Sequence, residues 1–283
     1  MTYPIARIEP TTQGRERSVA LWRNELDKYA ADPSLGVLRA DDFTKALTAA
    51  IDDFEAGWWF SECAAAGADT EVFATNADPN GEFSLSAATG TDHEGVKMQG
   101  GNSATVGEGI VLPTATTDSK GTVVFEWKGQ LDDSVNDTLF IGLAEQVAVA
   151  GLLSATSVLS DAIDYIGFYR LDDGDLQFVV RNDNNGGTAV EYNVDVVAAA
   201  DIDDTAGTQS KLGFRVNADS TVEIYVNGAQ VKLESNANAV IAVTSTSLPI
   251  EALSRTIAVA RGATGDNDPC TVVTDWIDCY VAE

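Results

Sequence analysis

Residues 211 to 231, KLGFRVNADSTVEIYVNGAQV, alternate apolar and polar side chains with a period of two on either side of a short polar turn. Leu212, Phe214 and Val216 fall on one side of an extended chain, with Gly213, Arg215 and Asn217 on the other. After Ala218-Asp219-Ser220 the pattern resumes, with Val222, Ile224 and Val226 set against Glu223 and Asn227. A period of two cannot make one face of a helix; it turns one side of each strand to a core and the other to water. Asn227-Gly228 accepts positive φ at low cost, so the chain turns again there and Val231 and Leu233 continue the ladder. The segment therefore demands an antiparallel sheet with a buried face.

The same pattern recurs through most of the chain. Candidate strands lie at 83–87, 94–99, 122–131, 138–146, 163–171, 175–182, 189–197, 210–217, 221–227, 229–234, 256–261 and 271–282, separated by turn clusters such as Asp172-Asp173-Gly174. Strands this short and this frequent imply a β-sandwich or jelly roll. The N-terminus reads differently. Residues 1–13, with Pro4 and Pro10, read as an extended arm, and Val19, Trp22, Leu26 and Tyr29 stripe a helix over 15–31 that Pro33 ends. A second helix is expected from about Asp41 to Glu55, capped by Asp41 or Asp42 and striped by Phe43, Leu47, Ile51 and Phe54. Two short amphipathic helices cannot bury their stripes alone and must pack on the body or on another subunit. The expected organisation is an N-terminal attachment segment, 1–56, and a β-sandwich domain, 57–283. Within the domain, residues 147–160, VAVAGLLSATSVLS, carry no charge and read as a crossover helix or core-covering loop, with a subunit contact as the alternative.

Charge narrows the partners. Seventeen Lys and Arg against 44 Asp and Glu leave −27, of which residues 1–55 carry −3 and residues 56–283 carry −24. A body this anionic repels nucleic acid and anionic membrane surfaces, so its partners are neutral, basic or bridged by cations. The excess of acids reads first as a solvated surface kept soluble by repulsion. No apolar run near Met1 has the length of a signal peptide, and the most apolar stretch, Val147 to Leu153, is far short of a membrane span. The three cysteines, Cys63, Cys270 and Cys279, lack CxxC spacing and are odd in number, which speaks against a disulfide framework or a zinc site. Cys279 alternates with Ile277 and Val281 and reads as a buried thiol, consistent with synthesis in a reducing cytoplasm.

No catalytic constellation emerges. The single histidine, His93, sits in a Gly-rich turn without a partner nucleophile, and no GxSxG elbow is present. The carboxylate pairs Asp132-Asp133, Asp172-Asp173 and Asp203-Asp204 fall in turns, and no E-x-D-x-x-E strand motif is present to carry glycoside hydrolysis. Calcium takes about six to eight oxygens. The loops holding Asn182 to Asn185, Asp201 with Asp203, and Asp266 with Asp268 offer candidates, although none fits an EF-hand and solvated turns are the default. Trp127 and Trp276 alternate as core residues. Trp58-Trp59-Phe60 reads as an apolar plug where the helices meet the β body, with a sugar-stacking platform as the functional alternative.

Taken in order, Phe125-Glu126-Trp127, LFIGLAE (139–145), DYIGFYRLDDGDLQFVVRND (164–183), KLGFRVNADSTVEIYVNG (211–228) and TDWIDCYV (274–281) resemble a concanavalin A-like, laminin-G-like jelly roll. More narrowly, they resemble the versions found in virion proteins of tailed bacteriophages, of the capsid decoration or cement type. The resemblance spans roughly residues 83–283 and carries no invariant catalytic motif. It implies a mainly β, antiparallel jelly-roll sandwich; the arm and two short helices that precede it lie outside the resemblance, and neither enzyme activity nor a resident cofactor is expected. It further implies a location on the outer capsid surface of a virion, with the major capsid protein and copies of the chain itself, arranged as a trimer, as partners. Attachment is then expected through Tyr3, Ile5, Ile8, Val19, Trp22, Leu26 and Tyr29 of the N-terminal segment. The alternative is a carbohydrate-binding, lectin-like module of a phage fibre or host-attachment protein, with glycan as the partner. The sugar and metal residues of legume lectins have no counterparts here that carry over.

Overall fold

A computed structural model of the chain describes residues 36–41, 54–55, 57–62, 83–87, 95–103, 106–114, 121–131, 137–146, 152–153, 159–160, 162–171, 176–183, 190–193, 209–230, 240–242, 248–261 and 270–282. The strands among them are β1 (Gly36–Asp41), β2 (Phe54–Glu55), β3 (Trp58–Glu62), β4 (Phe83–Ala87), β5 (Gly95–Ser103), β6 (Val106–Gly107), β7 (Val123–Leu131), β8 (Asp137–Glu145) and β9 (Tyr165–Arg170), followed by β10 (Gln177–Arg181), β11 (Val190–Asn193), β12 (Ser210–Val216), β13 (Thr221–Val226), β14 (Ala229–Gln230), β15 (Val240–Ala242), β16 (Leu253–Arg261) and β17 (Cys270–Ala282). They form two antiparallel sheets. The first runs β1-β17-β7-β12-β13-β14, with β4 on β17 and β15 on β13. The second runs β11-β10-β9-β8-β16-β5-β3-β2, with β6 on β5.

The sheets face each other across one apolar core. Trp127, Leu212, Phe214, Ile224 and Ile277 of the first sheet meet Phe60, Met98, Ile141, Phe168 and Ile257 of the second in a single buried cluster. Phe214 is the hinge of this packing. Its ring stacks on Phe125 of its own sheet at 5.0 Å and reaches across to Phe178 at 5.4 Å and Phe168 at 6.5 Å. The protein is therefore a mainly β, antiparallel jelly-roll sandwich, held by the alternation that the sequence displays.

The hairpin forms over 211–230 as its pattern requires, while Val231 and Leu233 lie outside the described residues. Leu212 lies opposite Val226, Phe214 opposite Ile224 and Val216 opposite Val222, and all six are buried. Asn227 and Gly228 both take positive φ, 49° and 83°, and the Asn227 side-chain oxygen accepts from the Lys211 N–H at 2.9 Å. Two adjacent left-handed residues make the turn whose twist matches that of the strands.

Three expectations need correction. The end residues of the expected helix at 41–55 are strand: Asp41 closes β1 opposite Ile277, and Phe54 and Glu55 pair with Trp59 and Trp58. The remainder of that helix, the helix at 15–31 and the arm at 1–13 lie outside the described residues. Trp276 is buried but does not join the core between the sheets. An irregularity between Thr274 and Trp276 shifts the alternation by one, so Trp276 lies opposite Lys128 on the outward face of the first sheet while Ile277 turns inward. Trp58-Trp59-Phe60 is not one plug but a strand, with Trp58 and Phe60 in the core and Trp59 facing outward.

Of segment 147–160, Leu152, Leu153 and Leu159 pack with Phe140, Tyr165, Tyr169, Val179 and Ala258 in a second cluster. That cluster lies on the outward face of the second sheet, so these leucines cover one half of it. Cys279 is a buried thiol of the core.

Candidate functional site

The other half of that outward face is polar. Register places Gly167, Gly142, Thr256, Gln99 and Trp59 in one row across β9, β8, β16, β5 and β3. The next row holds Tyr169, Phe140, Ala258, Lys97 and Ser61. Each row thus begins on the covered apolar half and ends on the polar side chains of β5 and β3.

Gln99 is fixed by what its amide must donate to. Its Nε2 gives hydrogen bonds to the Glu145 carbonyl at 3.1 Å and to Thr256 Oγ1 at 3.0 Å, and Thr256 in turn donates to the Ser254 carbonyl. A carbonyl only accepts, so the amide cannot be turned over, and the opposite atom, Oε1, is left without a partner among the described residues. Directly across from Gln99, the Trp59 indole N–H has none either, and nor does the Ser61 hydroxyl in the adjoining row. Gln99 and Ser61 are buried, while Trp59 is half-buried. An unmatched acceptor, an unmatched donor and a hydroxyl, all three shielded from solvent, thus lie on neighbouring strands, and buried polar atoms of this kind call for an explanation.

Beneath the row, on the inward side, a buried ion pair sets the strands. Arg255 of β16 donates from its backbone N–H and from Nε and Nη2 to both carboxylate oxygens of Glu108, between 2.7 and 3.0 Å. Its Nη1 bonds the Ile277 carbonyl, and its guanidinium lies 4.5 Å from the Trp58 ring. Burial works against the Arg255 charge, and Glu108, by its field and its hydrogen bonds, offsets it so that Arg255 is held above its ordinary value. Gly100, which follows Gln99, is required here, since a methyl group at that position would overlap the Glu108 carboxyl group. The pair therefore ties β16 to the residue that follows β6 and, through the Trp58 ring and the Ile277 carbonyl, to β3 and β17.

Acidic residues gather in two further places. Asp164 accepts from the N–H groups of Asp183, Ile250 and Glu251 between 2.7 and 3.0 Å, so its carboxylate knits three backbone segments. Beside it, burial pushes the Glu145 acid up; a hydrogen bond from the Asp164 N–H opposes this, while the Asp183, Asp164 and Glu251 charges add to it. Glu126 and Asp278 lie opposite each other on the outward face of the first sheet, both buried.

The structure does not test the site residues singled out from sequence. The calcium candidates Asp201, Asp203, Asp266 and Asp268, the attachment residues Tyr3, Ile5, Ile8, Val19, Trp22, Leu26 and Tyr29, and His93 all lie outside the described residues. Among the described residues no group of three or more His, Cys, Asp or Glu is placed to hold a metal ion. Gln99 and Ser61 were not legible as site residues. The available signal was the alternation within Trp58-Trp59-Phe60-Ser61, which, read as a strand, points Trp59 and Ser61 the same way.

No family model matches the chain, and no curated protein matches it. Among solved structures, the chain is similar to the endo-β-1,3-glucanase of Pyrococcus furiosus, at 14% identity over 89% of this chain and 97% of that one, with a TM-score of 0.49. It is also similar to the β-glucanase of Bacillus licheniformis, at 13% identity over 86% and 98%, TM-score 0.48. A third is the carbohydrate recognition domain of Emp47p, at 10% identity over 88% and 98%, TM-score 0.47. None of these three is named as a virion protein. The fold assignment rests on the strand pairing and the shared core.

Proposed function

We propose that the chain is a non-catalytic carbohydrate-binding module whose site is the polar half of the second sheet's outward face. The observation that carries this reading is the unmatched trio of Gln99 Oε1, the Trp59 indole N–H and the Ser61 hydroxyl on adjacent strands. A sugar hydroxyl donates one hydrogen bond and accepts others, so it satisfies an orphan acceptor and an orphan donor at once. The indole of Trp59 adds an apolar ring on which a pyranose face stacks. Gly142 and Gly167 extend the row inward without side chains. A neutral ligand also suits a chain of net charge −27, which disfavours phosphates and other polyanions. Trp59 binds in this reading by stacking and donating, Gln99 by accepting, and Ser61 by either.

A glycan array run with the full chain tests this. Saturable binding to neutral oligosaccharides, weakened at least tenfold by Trp59→Ala and by Gln99→Leu with unfolding midpoints kept, is the expected result; an array without hits removes the reading.

The division of charge favours a second reading, a virion surface protein. Residues 1–55 carry −3 and the remainder −24. A near-neutral segment suits burial against a shell, and a strongly anionic body suits projection into solvent. In that reading the N-terminal segment attaches the chain to a capsid and the sandwich faces outward. Removing residues 1–35, which leaves β1 in place, abolishes co-sedimentation with capsids while the sandwich stays folded; retained attachment refutes it.

A further inference from the structure

Asn227 and Gly228 form the two-residue turn between β13 and β14, and both are exposed. Two hydrogen bonds hold the turn to β12: the Asn227 Oδ1 accepts from the Lys211 N–H at 2.9 Å, and the Asn227 N–H donates to the Lys211 carbonyl at 2.8 Å. Among the described residues nothing takes a hydrogen bond from the Asn227 Nδ2 or from the Gly228 N–H. A methyl group placed on Gly228 would meet nothing within 4 Å, so the approach to the turn is open. Asn217, in the turn before β13, differs on each count. Its Nδ2 donates to Thr221 Oγ1 and Glu223 Oε1, both at 3.0 Å, and the residue that follows it is Ala218.

A free amide nitrogen next to a free side-chain amide meets the needs of one intramolecular reaction. The nitrogen of the residue after an asparagine closes a five-membered ring with the asparagine Cγ, and a glycine there leaves that nitrogen uncrowded. Loss of the Gly228 amide proton to hydroxide gives a nucleophile that forms a bond to Asn227 Cγ. The Cγ–Nδ2 bond then breaks, and Nδ2 takes a proton from water and leaves as ammonia. Water opens the resulting cyclic imide at either of its carbonyl–nitrogen bonds. Opening at Cγ gives aspartate; opening at the main-chain carbonyl gives isoaspartate, whose backbone runs through Cβ and Cγ. Nothing is oxidised or reduced, and water is the only reagent consumed. During the attack negative charge collects on Oδ1, the atom to which the Lys211 N–H already donates, so the fold supplies a donor where charge develops.

We propose that Asn227 is a self-modifying site, at which the folded chain converts its own turn through the imide to aspartate and isoaspartate. The two products differ in structure. Aspartate keeps an oxygen for the Lys211 N–H, and the turn persists with one further negative charge. Isoaspartate lengthens the main chain by one carbon, and a two-residue turn with φ of 49° and 83° closes its ladder only at the native length. The pairs Val226–Ala229 and Tyr225–Gln230 are then lost, while β13 keeps β12 and, over Thr221–Glu223, β15. Conversion therefore leaves the sandwich standing and uncovers the backbone of Tyr225 and Val226 as an open strand edge.

The experiment incubates the full chain at pH 7 and pH 9 and maps its tryptic peptides by mass spectrometry with fragmentation. Asn227 lies in the peptide Val216–Lys232 together with Asn217, whereas Asn80-Gly81 and Asn185-Gly186 fall in other peptides. The expected result is an acid in place of the amide at Asn227, with Asn217 unchanged, formed faster at pH 9 in step with hydroxide and labelled in part by an isoaspartyl methyltransferase. Gly228→Ala crowds the nitrogen and slows the conversion at least tenfold. In a chain that also carries Asn80→Gln and Asn185→Gln, the aged protein melts below Asn227→Asp, which has the charge without the added carbon. An amide that stays intact at Asn227 under conditions that convert the synthetic peptide 216–232 overturns the proposal. So does equal conversion of Asn217, a Gly228→Ala rate that matches wild type, or an aged chain that melts with Asn227→Asp.

Discussion

Truncation of Glu108 to alanine separates a structural role for the Arg255–Glu108 pair from a decorative one. In the folded chain the Arg255 and Glu108 side chains are 7% and 5% exposed, and the closest contact is 2.7 Å. Glu108→Ala leaves the guanidinium buried with the Ile277 carbonyl and the Trp58 ring as its remaining partners of note. Breaking a buried pair on one side costs about 3–5 kcal/mol, because the remaining charge is uncompensated. The cation–π contact with Trp58, worth about 1–2 kcal/mol when desolvated, persists and places the expected loss near the lower end, about 3 kcal/mol. A domain has about 5–15 kcal/mol in total, so the variant is folded but distinctly weaker. Urea unfolding at pH 7 reads this as a lower midpoint at an unchanged slope. Because the pair is dry, the loss persists at high salt, unlike that of a surface pair. Glu108→Leu combined with Arg255→Met removes both charges and recovers most of the loss. A single-variant loss below about 1 kcal/mol, or a double variant no more stable than Glu108→Ala, refutes the reasoning.

Other substitutions probe separate parts of the account. Gly100→Ala forces the Glu108 carboxyl aside and lowers stability by about 2–4 kcal/mol through the same pair, an effect that vanishes in the Glu108→Ala background when the two are combined in a cycle. Gly142→Ala drives a methyl group into the β9 backbone at Ile166 and Gly167, so it costs at least about 3 kcal/mol by urea titration and lowers the yield of folded protein. Phe214→Ala leaves a cavity beneath Phe125, Phe168 and Phe178 and costs about 3–5 kcal/mol, measured as a fall in melting temperature. Gly228→Ala meets open space but must hold φ near +83°, so calorimetry registers a backbone cost of about 1 kcal/mol and no packing loss.

The sandwich was legible because its evidence is local. The strand at Phe83–Ala87 and the pairs Leu212–Val226 and Phe214–Ile224 follow from alternation and turn chemistry within a few residues. β1 and β3 were missed for opposite reasons. Gly36–Asp41 has too few apolar positions to show a period, and Trp58–Glu62 follows a helically spaced stripe that masks its own alternation. Trp276 was placed in the core because an irregularity that shifts phase by one residue leaves no mark on composition. The candidate site depends on register. Gln99 reads as the polar alternate of a strand and therefore as solvated. Its isolation from water and its position across from Trp59 come from the pairing of β3 with β5, whose residues lie about 40 apart in the chain. Glu126 is hidden in the same way, since Asp278 comes beside it only through the pairing of β7 with β17.

The central claim is that a glycan is held at Trp59 and Gln99, and the Trp59 indole N–H signal in a proton–nitrogen NMR titration tests it most directly. The chain has five tryptophans, so the five indole signals are separable, and Trp59→Phe identifies the relevant one. With an array-selected oligosaccharide, the account predicts that the Trp59 signal shifts saturably downfield as it gains an acceptor, while those of Trp58 and Trp127, buried in the core, stay in place. A glycan that binds while the Trp59 signal stays fixed, or a Trp59 signal that no glycan moves, contradicts it.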